Sequence, residues 1–274
     1  MREPFGRLML GIAQANMTGT DLILIEEILS PGVLGLRLNR QDAQNALSTE
    51  LRIALADVFR IASENDQVRV MVLLGSRKAF ASGADLKALA KLTTFEVHKL
   101  GYHRLWKAIA DFPKPVIAAV RGLALGGGCE LALHADMIVA GRSALLGFPK
   151  IKLGIMPGAG GTQRLVRGIG KPRAMRLLMT GELLTGEQAA EWGIVSHVVD
   201  DEDVKDLTIS IATRLSNSPA TALEFIKEAV IEGAGLPLSA ALALERKSMH
   251  LLFSTRDQKE GMQAFLESRK PEFE

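Results

Sequence analysis

The residues that most plainly carry chemistry are three consecutive glycines and one acid. Gly126, Gly127 and Gly128 stand together, and Glu130 follows two residues after the triplet. Three residues without a Cβ let the main chain take positive φ and let a ligand come close to it. A helix beginning there aims its unpaired N–H groups and the positive end of its dipole at whatever docks. A carboxylate in that first turn, beside such donors, suits a reaction that moves a proton and develops an oxyanion. The plainer alternative is a glycine-packed corner with Glu130 as partner of the helix dipole, and on this stretch alone the two weigh evenly. Ala79–Leu86 (AFASGADL) is a second place where small residues and a glycine leave backbone bare toward a ligand.

Other constellations are weaker. Glu130 and His134 lie one helical turn apart and could share a metal, but two ligands without a third point to a surface or core pair, and no metal is expected. Cys129 reads as a small buried side chain rather than a nucleophile, since no histidine is aimed at it. In Gly154–Gly161 (GIMPGAGG) the dinucleotide fingerprint fails, because Gln163 stands where its third glycine belongs.

These residues need elements to position them. Val116–Val120 is a short β-branched run bounded by Pro115 and Gly122, the signature of a buried strand. The order there is strand, glycine turn, helix. Strands are also expected at 22–28, 33–38, 70–74, 137–140, 145–150 and 195–199. Leu47, Leu51, Leu55, Val58 and Ala62 recur at helical spacing, with Asn45 or Ser48 as cap. A further helix is expected over 95–110. Pro172 opens another, and Thr185 to Gln188 forms a capping box answered by Gly193. From Val204 onward the pattern is helical only, at 204–215, 219–232, 238–252 and 256–269. Strands alternating with helices and then a helical tail give an α/β class. The organisation is an extension over 1–20, a core over 21–203 and a helical region over 204–274.

Composition narrows the partners. The 274 residues carry a net charge of only +2 and 5% aromatics, which argues against nucleic acid or an acidic membrane surface. A single cysteine excludes a disulfide framework and fits a reducing, cytoplasmic setting. No apolar run approaches the ~20 residues of a membrane span. In the first 20 residues Arg2 and Arg7 hint at a transit peptide, but Glu3, Pro4 and Gly6 spoil an amphipathic helix.

With these motifs in view, the chain resembles the crotonase (enoyl-CoA hydratase/isomerase) family, from about Leu22 to the C-terminus. The matching stretches are 81–85 (ASGAD), 114–120 (KPVIAAV), 126–131 (GGGCEL), 157–165 (PGAGGTQRL) and 260–265 (EGMQAF). The resemblance implies a spiral of ββα units with a C-terminal all-helical oligomerisation region, assembled as a trimer or as a hexamer of two trimers. It implies an acyl-CoA or enoyl-CoA substrate, with coenzyme A as part of that substrate and no separate cofactor. It implies that the backbone N–H groups of Ala84 and Gly127 hold the thioester carbonyl and that Glu130 handles the water. The adenine end of coenzyme A would lie along Ala81 to Leu86, through Ala81, Ser82, Gly83, Asp85 and Leu86, and Gly126 and Pro149 would also bind the substrate. Phe253, Arg269 and Lys270 of a neighbouring subunit's tail are candidates for the nucleotide.

The chain departs from the family at one point. Family hydratases use two glutamates, and the second belongs where this chain has Lys150. From Met137 to Gly181 there is no Asp or Glu at all. Paired carboxylates in a dry site ready one of them as an acid; a lysine instead places the opposite charge beside Glu130, a sound arrangement for a base. Lys150 is then itself a candidate acid or anion anchor. Three readings follow: hydration of trans-2-enoyl-CoA, a different crotonase-type reaction such as isomerisation or cleavage, or an acyl-CoA-binding homologue with residual chemistry.

Overall fold

The computed structural model describes residues 23–274, so the extension expected over 1–20 lies outside the described residues. The chain opens with a hairpin, β1 (Leu24–Ser30) and β2 (Val33–Leu38), then α1 (Thr49–Ser63), β3 (Val70–Leu74) and β4 (Ala79–Ala81). Three short helices follow: α2 (Leu86–Leu89), α3 (Thr94–Lys99) and α4 (Tyr102–Ala110). Next come β5 (Val116–Val120), β6 (Leu123–Leu125) and α5 (Gly127–Ala132), then β7 (Met137–Gly141), β8 (Leu145–Gly147) and a 3-10 turn at Pro149–Leu153. The α/β part closes with α6 (Gly161–Thr180), broken at Gly170 (φ 75°) so that Pro172 opens its second segment as expected, then β9 (Leu183–Thr185), α7 (Gly186–Trp192) and β10 (His197–Val199). Four helices end the chain: α8 (Val204–Ser216), α9 (Ala220–Gly233), α10 (Leu238–Leu252) and α11 (Arg256–Leu266).

Two sheets organise these elements. One runs β1-β2-β3-β5-β7-β10 and the other β4-β6-β8-β9. Beyond the first hairpin, neighbouring strands of the large sheet are parallel. After the hairpin, three strands of the large sheet are each followed by a short strand of the small one: β3 by β4, β5 by β6, β7 by β8. A helix or helices then return the chain, which is the repeating ββα unit expected.

The strands are apolar on both faces because both faces are covered. Met71 and Leu73 of β3, with Val116, Ala118 and Val120 of β5, face a core shared with Leu51, Leu55 and Phe59 of α1. Their neighbours Val70, Val72 and Ile117 point the other way, against Val204, Ile211 and Ala212 of α8. The first helix of the tail is thus part of the core fold, while the later three leave apolar side chains outward, Phe265 at 83% exposure.

Several expectations shift. The helix expected over 95–110 is two helices, broken at Gly101, whose φ of 59° no helix accepts. The strand expected over 145–150 stops at Gly147, because Pro149 opens the 3-10 turn. Between β5 and the glycine triplet runs β6, so the order is strand, strand, helix. Ser48, not Asn45, caps α1 by accepting from the Leu51 N–H.

Candidate active site

The site forms where two backbone turns meet. Residues 81–84 are stitched to the stretch before α1. The Ser82 N–H donates to the Gln44 carbonyl, and the Leu47 N–H donates to the Gly83 carbonyl at 2.7 Å. Asn45 is buried at positive φ and donates its amide to the carbonyls of Ala79 and Phe80. Arg40 closes the frame by pairing with Asp85 at 3.3 Å. The second turn is the glycine triplet. Gly128 is obligatory, since a Cβ there would stand 2.0 Å from the Ala81 carbonyl oxygen. That contact is what lets α5 slide up against β4.

The two turns bring Ala84 and Gly127 together: a Cβ built on Gly127 would lie 3.7 Å from the Ala84 nitrogen. Neither N–H is taken up by a backbone hydrogen bond among the described residues. Both residues line a cavity of about 290 Å³ that also includes Glu130 and Lys150. Arg52 of α1 and Tyr102 and Trp106 of α4 form one wall, with Leu89 and Val97. Ile155, Met156, Gly158 and Ala159 form another.

Glu130 sits in the first turn of α5, a helix whose every residue is buried, and is itself 1% exposed. Its Oε1 accepts from the N–H groups of Ala159 (2.6 Å) and Gly161 (3.1 Å). The glycine-rich loop before α6 therefore clamps one carboxylate oxygen and fixes the side chain. The other, Oε2, lies 3.6 Å from Lys150 Nζ. That is an ion pair but longer than a hydrogen bond, so Oε2 keeps a lone pair for another donor. The Lys150 stem crosses the glycine triplet: a Cβ on Gly126 would stand 3.0 Å from Lys150 Cε. Gly126 thus gives Lys150 its path to Glu130. Among the cavity-lining residues Glu130 is the sole carboxylate.

His134 and Cys129 take structural positions. His134 Nδ1 is 2.8 Å from the Glu130 carbonyl oxygen, and its ring stacks on Trp106 with centroids 5.1 Å apart. Burial pushes its pKa down from 6.5 to about 4, so at neutral pH the ring is uncharged and donates from Nδ1. No group of three or more potential metal ligands occurs among the described residues. Burial raises the Cys129 thiol to about 12, which rules out a thiolate nucleophile.

The expected residues divide in three. Ala84, Gly127, Glu130 and Lys150 converge on the cavity. Ala81, Ser82, Gly83 and Gly126 build its frame, and Asp85 is tied to Arg40. Leu86 opens α2 and Pro149 opens the 3-10 turn, both outside the cavity lining. Phe253, Arg269 and Lys270 lie at the C-terminal end and do not line the cavity within one chain; Arg269 is held by Glu260 and Glu267. The sequence reading missed the clamp from Ala159 and Gly161, which bridges about thirty residues of sequence and leaves no local pattern. It also missed Arg52, although a charge on the buried face of α1 was a signal.

Comparison with known proteins finds the same architecture and the same family. The family model described as enoyl-CoA hydratase/isomerase matches residues 29–274. A probable mitochondrial enoyl-CoA hydratase of Dictyostelium discoideum is 42% identical over 241 residues, covering 88% of this chain and 87% of that one. A 2,3-dehydroadipyl-CoA hydratase of Escherichia coli is 41% identical over 241 residues, covering 88% and 94%. A crystal structure of enoyl-CoA hydratase from Bacillus anthracis superposes with a TM-score of 0.89 at 36% identity, covering 92% of this chain and 98% of that one.

Proposed function

We propose that this chain, which belongs to the enoyl-CoA hydratase/isomerase family, adds water to trans-2-enoyl-CoA thioesters to give 3-hydroxyacyl-CoA. What carries the reading is the meeting of two unspent backbone N–H groups, Ala84 and Gly127, with one fixed carboxylate on the same cavity. The thioester oxygen docks between the two N–H groups. Water rests against Glu130 Oε2, which takes its proton as the oxygen bonds to C3. The C2–C3 π electrons move toward the carbonyl, and the resulting enolate oxyanion is held by the two donors. Such donors act in a preset, dry site, and losing one typically costs on the order of 100- to 1000-fold in rate.

C2 must then receive a proton. Lys150 takes this role in our reading: its ammonium reaches the same cavity and adjoins Glu130 at 3.6 Å. It gives a proton to C2 and recovers one from Glu130, which closes the cycle with one water consumed. We further propose that the working form is a trimer or hexamer, because the later tail helices leave apolar side chains uncovered in one chain.

Crotonyl-CoA turnover tests the assignment on wild type and three variants. Glu130→Gln keeps the size but cannot accept the proton, so kcat is expected to fall about 1000-fold with acyl-CoA binding retained. A variant with most of the wild-type kcat removes Glu130 as base. With Lys150 as acid, both Lys150→Ala and Lys150→Glu lower turnover. If Glu instead raises it and Ala is neutral, Lys150 only blocks a two-carboxylate site.

A further inference from the structure

We propose that Arg52 receives a carboxylate at the end of the acyl chain, so that the preferred substrate is an enoyl-CoA ending in an anion. This rests on the acyl-CoA reading above and names the substrate class within it.

An unbalanced cation is built into the cavity wall: the lining carries Arg52 and Lys150 against one carboxylate, Glu130. Arg52 stands on the inward face of α1, beside Leu51 and Leu55, and is only 7% exposed. Its Nε is buried without a hydrogen-bond partner. Its guanidinium stacks over the Tyr102 ring at 4.2 Å, and the Tyr102 hydroxyl is itself anchored 2.8 Å from Thr49 Oγ1. The two acids whose charge it feels are already paired elsewhere, Glu130 with Lys150 and Asp85 with Arg40. Burial is the largest influence on the group and opposes its charge.

Beyond the Tyr102 side chain it has no partner of its own among the described residues; a buried charge so incompletely matched is costly, and an apolar residue would fill the face of α1 better if packing were the only demand. The cost is offset if the partner arrives with the ligand. Arginine suits that role: its planar fork holds a carboxylate through two parallel hydrogen bonds, and stacking on Tyr102 orients the plane beforehand. Beside Arg52 the same cavity is lined by the apolar side chains of Leu89, Val97 and Trp106, together with His98 and His103. Those apolar side chains flank methylenes. At about 290 Å³ the cavity is at the small end of ligand pockets, which fits a short chain.

Binding of two unreactive ligands tests the proposal: hexanoyl-CoA and adipyl-CoA, equal in length and differing in a terminal carboxylate. Titration calorimetry on the wild type is expected to give adipyl-CoA about 10- to 100-fold tighter binding. Arg52→Met should bring the ratio to one or below. Arg52→Lys keeps charge and bulk but loses the fork, and should cut the ratio several-fold; it carries the test if the methionine variant does not fold. Equal or weaker binding of adipyl-CoA by the wild type, or an unchanged ratio in the variants, overturns the proposal. Because neither ligand can be hydrated, these outcomes stand apart from the crotonyl-CoA assay: loss of turnover with an intact ratio counts against the hydratase reading alone.

Discussion

His134 is pressed between the Glu130 carbonyl and the Trp106 ring, and there it holds a proton far less readily than in water. Unfolded, the ring titrates near 6.5; folded, near 4. Above about pH 6.5 it is neutral in both states and stability does not depend on it. As the pH falls from 6.5 to 4 the unfolded chain gains a proton that the fold refuses, so stability drops. Below about 4 the loss is complete, on the order of 3 kcal/mol. Urea midpoints across this window should decline less steeply in His134→Gln than in wild type. Parallel profiles would mean the ring is not the source. At this scale the sequence shows a residue's type but not its partner. Glu130 was legible because the glycines lie next to it. Arg52 showed only as a charge on the apolar face of α1; that the nearby acids Glu130 and Asp85 hold other cations is visible only in the packing.

Elements decide whether the two N–H groups proposed to hold the thioester point the same way. Ala84 lies in a turn whose N–H makes no backbone bond among the described residues, so proline there removes a donor without breaking a ladder. Ala84→Pro should therefore stay soluble and folded while kcat/KM on crotonyl-CoA falls about 100- to 1000-fold. Near-normal activity would remove Ala84 from the donor pair. The long strands were legible because β3 and β5 are unbroken five-residue apolar runs, buried on both faces. Of the small sheet only β8 was legible: β4, β6 and β9 have three residues each, too few for a period to show. Caps were read well where both partners are local. Thr185 and Gln188 form the full reciprocal box, and Gly193 ends α7 at φ 84°.

For the whole molecule, the informative surface is the tail. Ile226 and Val230 of α9 and Met262, Phe265 and Leu266 of α11 are exposed in one chain, and helices with such stripes bury them on a partner. Light scattering should give the mass of a trimer or hexamer. Removing residues 256–274 should leave smaller or insoluble species. A well-behaved monomer of the full chain would contradict self-association through this face. The boundary expected near residue 203 follows the end of the strands. It does not follow the end of the core, because α8 covers the large sheet.

Helix α5 has no residue on the surface, and this bears on how its amides trade hydrogen for deuterium. The Glu130 and Leu133 amides are bonded at 2.9 Å to Gly126 and Cys129 inside a shell of buried residues. They can exchange only when the surrounding core opens, so their rate gauges global unfolding. The Ala84 and Gly127 amides, which line the cavity, have no backbone hydrogen bond to protect them until a ligand oxygen caps them. Deuterium uptake with and without acyl-CoA should therefore slow at those two positions and leave Glu130 and Leu133 changed only as far as ligand binding raises the stability of the whole fold.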